Sequence, residues 1–68
     1  MKVTYNLDIY SQDIIKAAID VYREYANISA SYEESGSCVL VFSNFTYDMR
    51  ETINEFNNYL IELLNGSN

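Results

Sequence analysis

Histidine, proline and tryptophan are absent from this 68-residue chain, cysteine occurs once and glycine twice. Without histidine, zinc sites and proton shuttles lose their usual ligand and base. The lone Cys38 cannot close an internal disulfide, so no structural metal and no cofactor are expected. Basic residues are also scarce: four Lys and Arg against ten Asp and Glu leave a formal charge of −6. That charge repels a phosphate backbone, so nucleic acid is not an expected partner. A basic protein surface suits it better, although acidity also keeps a small domain soluble. No apolar run approaches the ~20 residues that cross a bilayer, so no membrane partner is expected. The stretch Lys2-Val3-Thr4-Tyr5-Asn6-Leu7-Asp8 lacks the basic start and continuous apolar segment of a signal peptide. A cytoplasmic protein is therefore expected.

What is present is enough for one core. Apolar residues make up 49% of the chain, and a chain of this length buries about 60% of its unfolded surface, which predicts a single domain over 1–68. Val3, Tyr5 and Leu7 alternate with Thr4 and Asn6, the pattern of a half-buried strand. Ser11 is placed to cap a helix over about 12–25, with Tyr10 and Ile15 as its hydrophobic staple. Ile28, Ala30 and Tyr32 alternate with Ser29, Ser31 and Glu33 in a second strand, and Glu34-Ser35-Gly36 supplies a hairpin turn. The third strand, Cys38 to Phe42, is apolar on both faces and should be central. A last helix starts near Thr46 or Asp48, where Asp48 and Glu51 have capping-box spacing, and stops near Asn65-Gly66. Met49, Ile53, Phe56, Leu60 and Leu63 form its apolar stripe.

The order β-α-β-β-α predicts a two-layer α+β fold with a three-stranded sheet in spatial order 2-3-1 and both helices on one face. Either Val39 and Val41, or Cys38, Leu40 and Phe42, must then face outward. That row calls for a partner, a second copy, or the last helix swung across it, so a homodimer or heteromer is expected.

No convergent chemistry accompanies this frame, and the chain reads as a binding protein, not an enzyme. Glu33 and Glu34 fall in the hairpin turn, and Glu51, Glu55 and Glu62 on the outside of a helix, where solvation explains them. Cys38 sits mid-strand among apolar neighbours, as inert core residues do. The edge of the first strand offers Thr4, Tyr5 and Asn6 for pairing with an extended segment, and the sheet face offers Val39 and Val41. A proline is expected to be tolerated at only one of Thr4 and Asn6. Among the seven tyrosines, Tyr5, Tyr32 and Tyr59 divide evenly between interface and core, whereas Tyr22 and Tyr25 favour core. Asn58, next to the helical stripe, is the better placed of Asn57 and Asn58 for a structural or recognition hydrogen bond.

Ile9-Tyr10-Ser11, Ala17-Ala18 with Tyr22, and Glu55-Phe56-Asn57-Asn58-Tyr59-Leu60 together resemble the HxsD-like small proteins of His-Xaa-Ser peptide-maturation systems. Members of that family are encoded beside radical-SAM enzymes that modify a ribosomally made peptide. The resemblance implies an accessory role, binding the precursor peptide or the radical-SAM enzyme. Any iron–sulfur cluster would belong to the partner, since Cys38 stands alone. The competing expectation is a constitutive homodimer or small protein-interaction module with no peptide ligand.

Overall fold

Alternating side chains at Val3 and Tyr5, a capped amphipathic stretch after Ser11 and a glycine turn at Gly36 divide the chain into its elements. The computed structural model describes residues 1–66 and orders them β1 (Lys2–Asn6), α1 (Gln12–Tyr22), β2 (Asn27–Tyr32), β3 (Ser37–Ser43) and α2 (Met49–Gly66). The three strands form one sheet in the order β1-β3-β2, both neighbours antiparallel to β3. The chain is thus α+β with β3 central, as its apolar run requires. Residues 67 and 68, the end of the expected 1–68 domain, lie outside the described part. Among the described residues no helix is long and apolar enough to cross a membrane.

The helix ends follow local hydrogen bonding. The Ser11 side chain accepts the Ile14 amide at 3.3 Å, the N-cap read from the sequence. Tyr10 packs against the core and Ile15 is fully buried. Helix α1 stops three residues short of the expected end because the chain beyond Tyr22 tightens into a turn tied to the segment before α2. The Tyr25 amide tightens onto the Tyr22 carbonyl, while the Tyr25 carbonyl takes the Thr46 amide, each at 2.9 Å. At α2, Asp48 Oδ1 accepts the amides of Arg50 (2.8 Å) and Glu51 (3.3 Å), placing a carboxylate on the positive helix end. The hairpin between β2 and β3 closes through Gly36, whose φ of +91° suits glycine. Its amide donates to Glu33 (3.0 Å), and its carbonyl receives the Leu7 amide (2.9 Å), so the turn also ties β1.

One core unites Ile15, Ala18 and Ile19 of α1 with Ile53, Phe56 and Leu60 of α2 and the even row Cys38, Leu40 and Phe42 of β3. Phe56 stands at its centre, 5.2 Å from Phe42, 5.5 Å from Tyr22 and 6.1 Å from Tyr5 between ring centroids. The stripe of α2 departs from expectation at its start. Met49 is exposed and Thr52 is buried instead, its hydroxyl donating to the Asp48 carbonyl at 2.9 Å.

Candidate functional site

Antiparallel pairing decides which backbone groups remain available to a partner. The Met1 ammonium donates to the Phe42 carbonyl (2.8 Å) and the Phe42 amide donates to the Met1 carbonyl (2.7 Å), a bonded pair at the start of the β1–β3 ladder. Alternation makes Val3–Leu40 and Tyr5–Cys38 the next bonded pairs, so the amides and carbonyls of Lys2, Thr4 and Asn6 point away from the sheet. The expected difference between Thr4 and Asn6 therefore does not lie in amide direction, since both point outward. It lies in the turn. The Asn6 carbonyl already accepts the Ile9 and Tyr10 amides at 3.0 Å, and its side chain accepts the Asp8 amide at 2.8 Å. Only Lys2 and Thr4 are fully free on this edge, and Lys2 is charged.

The opposite edge is longer and carries no such block. The Glu33 amide bonds the Ser37 carbonyl at 2.8 Å, which sets Ser31, Ser29 and Asn27 as the residues bonded to β3. The amides and carbonyls of Ile28, Ala30 and Tyr32 face outward. Over Asn27–Tyr32 there is no charge, no proline and no break in register. Those are the devices by which an exposed edge is usually blunted. Ile28, Ala30 and Tyr32 share the side of the sheet that carries the core, opposite Phe42, Leu40 and Cys38. Yet only Ile28 packs there, while Ala30 is exposed and Tyr32 is 39% exposed. The sheet thus has an uncovered shelf along β2.

The outer face is less apolar than the sequence of β3 alone suggests. Val39 is half-buried and Val41 is 43% exposed, but Val41 lies between Lys2 and Ser29, and Val39 between Thr4 and Ser31. Two valines among hydroxyls and a lysine make no continuous apolar patch, and no tyrosine joins them. Helix α2 does not cover this row.

Two candidate side chains exchange roles. Tyr5 points into the core and is 8% exposed, and its hydroxyl donates to Asn57 Oδ1. Asn57 therefore makes the structural hydrogen bond expected of Asn58, which is exposed. About 100° of helix separates the two neighbours, and the tyrosine partner is 52 positions away, so no local pattern distinguishes them. Cys38 is fully buried beneath the sheet, and burial holds its thiol protonated above the ordinary range. Burial, then Tyr10 and Cys38, pushes the Tyr5 phenol up to about 12. A phenol whose folded pKa exceeds its unfolded value of 10.0 stabilises the fold below pH 10 and loses that contribution as pH rises through 12. Urea midpoints measured at pH 8 and pH 11 should fall further for the parent chain than for Tyr5→Phe. An equal fall in both would contradict the assignment.

The second concave feature lies between the helices. Tyr22 donates its hydroxyl to the Glu55 carbonyl (3.2 Å) and sets its ring 5.5 Å from Tyr25 and 5.8 Å from Tyr59. Beside them opens a groove of about 280 Å³ walled by Tyr22, Tyr25 and Tyr59 and edged by Glu51 and Glu55. A neighbouring hollow of about 260 Å³ shares Tyr22, Glu55 and Tyr59 and adds Asn58 and Glu62. Burial, then Glu55, Tyr25, Glu62 and Tyr59, raises the Tyr22 pKa, as expected where negative charge gathers. Sequence reasoning missed this groove, because its walls come from segments about 30 residues apart. Compared with known proteins, the chain matches no family model, no curated protein and no solved structure.

Proposed function

We propose that this chain is a non-catalytic binding module that takes an extended segment of a partner as a fourth strand along β2. The carrying observation is the unblunted edge from Asn27 to Tyr32, with the outward amides and carbonyls of Ile28, Ala30 and Tyr32 beside an uncovered shelf. In such pairing the main chain supplies affinity, and alternate side chains supply selectivity. Here the added strand would set every second side chain beside Ala30 and Tyr32. The first-strand edge is the weaker template, because it is shorter, bears Lys2 and ends in the occupied carbonyl of Asn6.

The HxsD-like resemblance identifies the partner to test as the precursor peptide of a ribosomal-peptide modification system or its radical-SAM enzyme. A non-catalytic role accords with a chain whose only thiol is buried and protonated and which has no histidine. Hydrogen exchange of the complex provides the test. With either partner bound, the amides of Ile28, Ala30 and Tyr32 should slow about tenfold or more, and those of Lys2, Thr4 and Asn6 should change little. Protection confined to the first-strand edge, or to Val39 and Val41, would reject pairing along β2. Protection of β2 that rises with the concentration of this chain alone would assign the edge to a second copy.

A further inference from the structure

The groove between α1 and α2 combines three features that no structural role in the chain requires together. Its walls are tyrosine rings, its rim is carboxylate, and among the described residues no Lys or Arg pairs with that rim. Among the described residues the one ion pair joins Arg23 to Asp20 at 3.4 Å, on the outside of α1. Glu51, Glu55 and Glu62 have no basic partner there. Glu51 and Glu55 stand four apart on one helix, where like charges repel; Glu51, in the first turn, is offset by the positive helix end, whereas Glu55 is beyond its reach. The void of about 280 Å³ is smaller than the pockets that enclose a cofactor or drug-sized ligand, and it suits one long side chain.

We propose that this groove receives an arginine side chain from a peptide segment of the partner. Tyr59 and Tyr25 line the groove with aromatic rings, the kind of surface on which a planar guanidinium stacks, and Glu55 and Glu51 line it with carboxylates that match its fork of N–H donors. Arginine fits better than lysine because the guanidinium stacks and bonds two oxygens at once, whereas an ammonium is a hydrated point charge. The groove is built by the two helices and Tyr25 of the turn after α1 and does not involve the β2 edge, so the inference stands apart from strand pairing. A partner using both sites would gain by linkage.

The test uses the full chain and a blocked alanine pentapeptide with arginine at its centre, followed by amide chemical shifts. Shifts are expected at Val21, Tyr22, Glu55 and Tyr59, with weak, saturable binding. Replacing the arginine by citrulline, which keeps the shape and removes the charge, should weaken binding about tenfold. Glu55→Gln should weaken it by a similar factor, whereas Glu33→Gln, in the hairpin turn, should leave it unchanged. Circular dichroism checks that both variants fold, and Glu51→Gln, on the same groove, repeats the measurement should Glu55→Gln unfold. Equal binding of the citrulline peptide, shifts spread evenly over all carboxylates, or no saturable shift would each overturn the proposal.

Discussion

Phe56→Ala is expected to cost about 3–5 kcal/mol, enough to leave much of the protein unfolded. The whole stability of a domain of this size is about 3–10 kcal/mol, so one cavity consumes a large share of it. The site is severe for a geometric reason. Phe56 is fully buried and is the one ring packed against β1, β3 and α1 together, through Tyr5, Phe42 and Tyr22. Its loss opens a void that three elements border, and each is held by further contacts that hinder collapse. Met49→Ala is the control on the same helix, since Met49 is exposed, and it should change stability by less than about 0.5 kcal/mol. Urea unfolding of both variants decides the matter. A Phe56→Ala midpoint within the range of the Met49→Ala variant would show that the core is centred elsewhere.

Phe56 was legible as a core residue because helical spacing from Ile53 to Leu60 is a strong local signal. The same holds for Ser11, whose side chain reaches an amide three residues on, and for Gly36, whose turn lies between two alternating runs. Strand order was legible too, because β3 alone is apolar at every position from Cys38 to Phe42. Long-range choices were not. Asn57 and Asn58 look alike until Tyr5 is brought over one of them, and Val39 and Val41 look like an interface until Lys2, Thr4, Ser29 and Ser31 are placed around them. The site suffers most from this limit. The α1–α2 groove requires two helices to meet, and the β2 edge requires the ladder parity that only the Met1–Phe42 and Glu33–Ser37 bonds fix. One signal was available in advance: Asn27 to Ser31 carries a single large apolar residue and no charge, which is sparse for a strand meant to be covered and bare for an edge meant to be protected.

That bare edge yields the sharpest separation of binding from folding. Ala30→Pro is expected to weaken capture of the partner by about tenfold or more while leaving most of the thermal stability. The amide it removes points outward and serves no bond to β3, because the bonded residues on this strand are Asn27, Ser29 and Ser31. The residue before a proline is driven toward extended backbone, which Ser29 already has within β2. Ser29→Pro reverses the outcome. Its amide belongs to the Val41 pair in the middle of the ladder, so its loss should break the sheet there and lower the thermal stability well below that of Ala30→Pro. Thr4→Pro is the matching probe of the other edge, with an outward amide and a free carbonyl, and it should leave both stability and binding near their parent values. Thermal unfolding and partner affinity, measured on all three, separate the possibilities. If Thr4→Pro abolishes binding and Ala30→Pro does not, the partner strand adds to β1. If neither does so in a folded protein, strand addition is wrong at both edges, and the contact lies on the outer face around Val39 and Val41 or in the groove between the helices.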